Sequence, residues 1–210
     1  MPILLLTTLI VSGCSSSSTD HSQTSVLTAS LLQHPIQIDA KSYPNSHFKQ
    51  VNASFHTNRS KAHTFKIISN LALTTQWFDR LKKIETLAIR TNNDFVIRSV
   101  ISSPWPFKDR ELISCVHTEF TENIITIDID HCSAQQPIDN NFVRVEKAQS
   151  HWRIQQRENG LVKIHYQAWV EPAGYVPSTF FNLSLIKSTR QSMQALQKKL
   201  ESEEQSNSYY

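Results

Sequence analysis

The chain has 210 residues, 39% of them hydrophobic and 9% aromatic, which is enough for one large domain with a real core plus a leader or tail. Only three glycines occur, Gly13, Gly160 and Gly174, which excludes glycine-rich phosphate loops and low-complexity folds. Twenty-one Lys and Arg against 18 Asp and Glu leave a formal charge of +3, and no dense basic block appears. That balance describes a mildly basic soluble surface and argues against nucleic-acid binding.

Residues 2–13 are apolar or small and carry no charge. The stretch is too short to span a bilayer, which takes about 20 apolar residues, and suits the apolar core of a secretory signal. Val11-Ser12-Gly13-Cys14 resembles a bacterial lipobox, in which cleavage precedes the cysteine and its sulfur takes the lipid. The leader departs from that pattern in lacking an initial Lys or Arg. Ser15 to Thr19 then forms a flexible polar tether. By the same resemblance, Ser15 directly after the cysteine implies sorting to the outer membrane of a Gram-negative cell, on its periplasmic side. The expected organisation is a signal peptide at 1–13, a lipidated Cys14 with linker to residue 30, a folded domain over 31–202 and a polar tail.

Folding is expected to begin near Leu31. Ile36 and Ile38 alternate in a strand over His34 to Asp39, and a second strand covers Phe48 to His56. Apolar positions at Phe65, Ile68, Leu71 and Ala72 predict a helix from Lys61 to Asn70, and Thr74 to Phe78 a short second one. From Ile84 the period becomes two. Strands are predicted at Ile84–Thr91, Asp94–Ile101, Glu111–Phe120, Ile124–His131, Phe142–Ala148, His151–Arg157 and Leu161–Glu171, with Asn159-Gly160 as a hairpin signal. A turn at Thr121 to Asn123 would set Cys132 opposite Leu112, three residues from Cys115, so a disulfide there needs a bulge or a shifted register. Ser178 to about Glu201 reads as one long helix with an apolar stripe at Phe181, Leu185, Ile186, Thr189, Met193, Leu196 and Leu200. The predicted class is α+β: a curved antiparallel sheet wrapped around a long C-terminal helix, with an apolar cavity where one helix cannot fill the bend.

Between two of those strands stands Pro104-Trp105-Pro106, followed by Asp109-Arg110. Neither proline donates an amide hydrogen and each pushes its predecessor toward extended geometry, so the run is a rigid corner. Set in order with the Trp77 helix and Ile84-Glu85-Thr86-Leu87, with Phe142-Val143-Arg144, with Trp152 and the Glu158-Asn159-Gly160 turn, and with Tyr166 to Pro177, the corner resembles the signature of START (steroidogenic acute regulatory protein-related lipid transfer) domains. The resemblance covers about Leu31 to Leu200; Glu171 and Ala173 depart from its usual Asp and Gly. It implies a helix-grip fold and non-enzymatic binding of one lipid or other hydrophobic small molecule by a monomer, with transfer as an additional role and no cofactor.

The residues allow several roles. Arg98 and Arg144 lie in apolar strands and could anchor a ligand's polar group or face solvent. Asp109 and Arg110 could orient a polar head or brace the corner, with Arg144 or Glu171 as partner, and Trp105 reads as a packing wedge. The expected ligand-contacting set is Arg98, Arg110, Arg144, Tyr166, Phe181, Leu185, Ile186 and Met193, with Phe180 beside the helix start. Asp128, Asp130, His131 and Cys132 alternate with isoleucines as on a solvated strand face and lack metal-ligand spacing. No nucleophile elbow or catalytic triad can be assembled from sequence proximity. Two alternatives stand beside lipid binding: a cyclase- or hydrolase-like enzyme using His165 or Glu171 within the cavity, and an envelope scaffold with no ligand.

Overall fold

In strand β2 (Gln50–Thr57) every second residue is buried, and Val51, Ala53 and Phe55 are almost completely so. That period-two burial sets which face of the sheet meets the core. The computed structural model describes residues 35–132 and 136–206; the predicted leader, Cys14, the whole linker to residue 30 and the end of the polar tail lie outside them. β1 (Gln37–Lys41) pairs with β2 at one sheet edge. Two short helices follow, α1 (Lys61–Ser69) and α2 (Leu71–Trp77). The Ser60 side chain accepts from the His63 amide to open α1. Asn70 closes α1 and opens α2, its Oδ1 accepting from the amides of Ala72 and Leu73.

The chain then runs through β3 (Leu81–Ile89), β4 (Asp94–Ile101), β5 (Arg110–Phe120), β6 (Ile124–His131), β7 (Val143–Val145), β8 (Lys147–Gln156) and β9 (Val162–Glu171). One nine-stranded sheet results, in the order β1-β2-β9-β8-β6-β5-β4-β3, with β7 running parallel to β5 off this path. The long helix α3 (Ser178–Ser206) crosses it. Arg59 holds α3 by donating to the carbonyls of Leu200 and Glu201, and Asn182 ties its first turns to His47 and Lys49. This is the expected α+β architecture of a curved antiparallel sheet gripping a C-terminal helix.

Two local expectations are corrected. The predicted strands Phe142–Ala148 and His151–Arg157 are divided at Glu146 instead, because β7 pairs with β5 and β8 with β6 and β9. The small inward residues Ala148 and Ser150 hid the continuity of β8. In the β5–β6 hairpin, Phe120 pairs with Ile125, one residue from the expected register, and the Cys132 amide donates to the Ile113 carbonyl. That single step puts Cys115 and Cys132 on one face as diagonal neighbours, 5.5 Å apart at Cα, joined by a disulfide. A cross-link over a loop of this size stabilises a fold by roughly 3 kcal/mol in the chain-entropy account.

Candidate functional site: an apolar cavity between sheet and helix

The two halves of α3 meet the sheet differently. Met193, Leu196 and Leu200 are fully buried and fill the space against Val51, Phe55 and Ile164. One and more turns earlier the same side of the helix carries Ser184, Ser188 and Ser192 at intervals of four, and these face a cavity of about 720 Å³. Four-residue spacing keeps the three on one stripe, and none is large enough to reach the sheet. The opposite wall is built from alternate residues of the central strands, among them Ile97, Leu112, Val116, Ile127, Ile129 and Trp152. The volume falls within the range of small-molecule sites.

One pole of the cavity is bounded by the corner between β4 and β5 and by the turn from β9 into α3, with Pro104, Phe107, Pro172, Val176 and Phe180 on its wall. Arg110 fastens these two segments. It is buried, and it donates from Nε to the Pro172 carbonyl (3.2 Å), from Nη1 to Ser103 Oγ (3.1 Å) and the Lys108 carbonyl (2.6 Å), and from Nη2 to the Ala173 carbonyl (3.3 Å). Burial lowers its pKa, an effect that the neighbouring Asp109 charge opposes. Asp109 turns the other way, onto Lys82 Nζ at 2.6 Å and the Ser103 amide at 2.9 Å. Lys82 and then that amide hold its carboxyl below the ordinary aspartate range. Both residues therefore brace the corner, with partners other than the expected Arg144 and Glu171. Ala173, which stands where the family pattern has glycine, adopts φ +54° beside Gly174 at +66°. The left-handed region costs a residue with a Cβ roughly 1 kcal/mol, and the Arg110 bond to the Ala173 carbonyl helps to hold it there.

Trp105 is no packing wedge: it is 92% exposed, and Tyr175 on the facing turn is 93% exposed. Phe180 and Leu183 at the start of α3 add further exposed apolar surface. Phe180 also meets Phe107 at 6.0 Å between ring centroids. The cavity thus has a rim that presents large apolar side chains to the outside.

Of the eight residues expected to contact a ligand, Arg110, Tyr166, Phe181 and Leu185 line the cavity. Ile186 and Met193 do not, and Met193 belongs to the solid half of the helix. Arg98 and Arg144 point to the opposite face of the sheet, because Ile97, Ser99 and Val145 take the inward positions beside them. Both arginines converge on the buried carboxylate of Glu111, Arg98 through Nε at 2.5 Å and Arg144 through Nη2 at 2.6 Å. Arg98 also reaches Glu85 and lies over the Phe142 ring, while Arg144 donates to the Pro137 carbonyl. Glu111 first, and Glu85 second, hold the Arg98 guanidinium above its usual pKa. Adjacency in strands decides the matter: Glu111 sits beside Val100 on β4 and Arg144 on β7, one position from Arg98 along the pleat's outer side.

His165 and Glu171 do not line the cavity either. Burial, followed by the Lys163 charge, lowers the His165 pKa, and Glu171 meets Lys147 at 3.3 Å. Asp128 contacts His151, and among the described residues no group of His, Cys, Asp and Glu side chains could hold a metal ion. The residues missed in the sequence were the three serines of α3. Their four-residue spacing was visible, but polar residues on a helix read as its outer face.

A long helix gripped by a curved sheet, with an apolar hollow between them, defines a helix-grip container. The chain belongs to the START domain family, whose model matches residues 30–202. A STAR-related lipid transfer protein fragment from Xanthomonas axonopodis superposes with a TM-score of 0.71 at 19% identity, covering 79% of this chain and 93% of that one. Human StAR-related lipid transfer protein 5 gives 0.71 at 13% identity, covering 88% of this chain and 98% of that one. An uncharacterized protein of Pseudomonas aeruginosa is 29% identical over 101 residues, 47% of this chain; the match spans about half, 49%, of that relative's length.

The Glu111 cluster yields a test that separates fold from site. Glu111→Ala leaves two guanidinium groups without their shared carboxylate and should cost about 3–5 kcal/mol in urea unfolding. Ligand uptake per folded chain should be unchanged. A loss of less than about 1 kcal/mol, or loss of uptake by the folded fraction, contradicts a purely structural role.

Proposed function

We propose that this protein binds one lipid or other hydrophobic small molecule in the cavity and carries it between membrane surfaces, without chemical turnover. The observation that carries the reading is the cavity itself: about 720 Å³, walled largely by apolar side chains and kept open by small residues on α3. Burying an alkyl chain there gains about 25 cal/mol per Å² of apolar surface, so affinity needs few polar contacts. The Xanthomonas and human neighbours, both lipid transfer proteins by name, agree with it. The aromatic rim suits contact with a bilayer, since Trp and Tyr favour the membrane interface. An enzymatic reading would turn on His165 or Glu171, and neither lines the cavity.

The same proposal puts the protein at the periplasmic face of the outer membrane, as a monomer held by lipid on Cys14. The leader sequence motivates the anchor. The Cys115–Cys132 disulfide supports an oxidising compartment. Two or three acyl chains would hold the domain at the membrane, with the residues after Cys14 as tether.

Two experiments test these readings. After incubation with phospholipid vesicles, native mass spectrometry should find one hydrophobic molecule per chain. In the same system Trp105→Ala combined with Tyr175→Ala should slow vesicle-to-vesicle transfer several-fold while leaving that stoichiometry intact; a chain that takes up nothing contradicts the proposal. For the anchor, Cys14→Ser should move the protein from the membrane to the soluble fraction and abolish palmitate labelling. Retained labelling would refute it.

A further inference from the structure

We infer that the outer face of the sheet carries a second site, which binds a soluble phosphoryl group, phosphate or a phosphomonoester, between Arg153, His165 and Lys163. The site is separate from the cavity and does not depend on the hydrophobic-ligand reading. Ile154, Ile164 and Phe55 on β8, β9 and β2 are buried in the core, so the residues alternating with them face outward. His165 lies at the middle of these three strands, with Arg153 directly across from it on β8 and Ser54 on β2. Lys163, two residues earlier on β9, stands in the next row between Gln155 and His56. None of these six positions carries a carboxylate.

Among the described residues the side chains of Arg153, Lys163 and His165 make no hydrogen bond or ion pair. The nearest acids on the flanking strands are engaged elsewhere: Asp39 on β1 meets Lys41 at 3.4 Å, and Asp128 on β6 meets His151 at 2.5 Å. Neutral acceptors are short as well. Gln50 and Gln167 both donate to Asn52 Oδ1, at 3.4 and 2.9 Å, and Asn52 Nδ2 has no partner among the described residues. The local field is accordingly positive. Burial first, then Lys163, His151 and Arg153, hold the His165 pKa below its ordinary value, with Asp39 opposing.

Spacing decides which kind of anion. Directly opposed residues of a sheet lie about 5 Å apart at Cα and diagonal ones about 7 Å, within reach of long side chains. The guanidinium of Arg153, the ammonium of Lys163 and the His165 ring can therefore close on one compact group, with the Ser54 hydroxyl beside them. Charge-assisted bonds from several cationic donors suit a phosphoryl group with three free oxygens better than a carboxylate with two. Position decides the source. Lys163 is nine residues from Pro172 at the cavity rim, about 30 Å of extended chain. A bilayer that meets the rim leaves this face clear, so the phosphoryl group comes from solution.

The test titrates inorganic phosphate into the full-length chain at low ionic strength and follows the histidine ring signals by NMR. Binding should saturate and move the His165 signals. It should also raise the His165 pKa, since the bound anion offsets Lys163, His151 and Arg153. Arg153→Gln combined with Lys163→Gln should weaken binding about tenfold or more and leave the urea midpoint unchanged. Shifts that sodium chloride reproduces at equal ionic strength reflect screening and overturn the site. Saturable binding that the double variant leaves intact overturns its location. A response to vesicles containing phosphatidate, with none to inorganic phosphate, overturns the soluble source.

Discussion

Everything distinctive about this molecule follows from a change of side-chain size halfway along one helix. Met193, Leu196 and Leu200 carry α3 into full contact with the sheet, and there the interior is solid. Ser184, Ser188 and Ser192 line the cavity in the preceding turns, beside Phe181, Leu185 and Thr189, and there a hollow stands between helix and sheet. Sheet curvature makes the gap possible, and the serines keep it open. A void of this size forfeits dispersion contacts along all its walls, so the protein gives up stability to maintain it. The solid half of the helix, the Cys115–Cys132 link and the Arg59 and Asn182 bonds to α3 are what offset that loss.

Charge is distributed by the same logic. The large ionic cluster of Arg98, Arg144 and Glu111 lies on the outer side of the sheet, where it pins β4, β5 and β7 together. Inside, Arg110 commits its donors to three carbonyl oxygens and the Ser103 hydroxyl and ties the corner to the turn that launches α3. The cavity pole that needs a stable rim is thus fixed by hydrogen bonds, and the exposed rings of Trp105 and Tyr175 project from segments held at their bases. Rigid bases with projecting aromatic tips suit repeated contact with a membrane surface.

The fold was legible because its signals are periodic and local. Period-two burial in β2 and most of β9, the paired asparagine and glycine turns, and the helix from Ser178 all reach the eye from the sequence. The Pro-Trp-Pro corner served as a family address, although Trp105 projects outward instead of packing in. The site was less legible, and each shortfall has a physical reason. An arginine in an apolar strand does not reveal its face without knowing which neighbour takes the inward position, so Arg98 and Arg144 read equally as ligand anchors and as solvent-facing; their pairing with Glu111 came only from the fold. One residue of hairpin register separated Cys115 from Cys132 or brought them together. A helix stripe that maintains a hole looks polar, whereas a search for cavity walls looks for apolar residues, so Ser184, Ser188 and Ser192 gave no signal in the sequence.

The hollow between α3 and the sheet is the place proposed for a bound hydrophobic molecule. Filling it from both walls tests that directly, with Ser188→Trp on the helix and Ser114→Phe on β5 in one variant. This variant should unfold at a midpoint at or above that of the wild type and lose the one bound molecule per chain in native mass spectrometry. A variant that folds equally well and still takes up its ligand in full stoichiometry would contradict it.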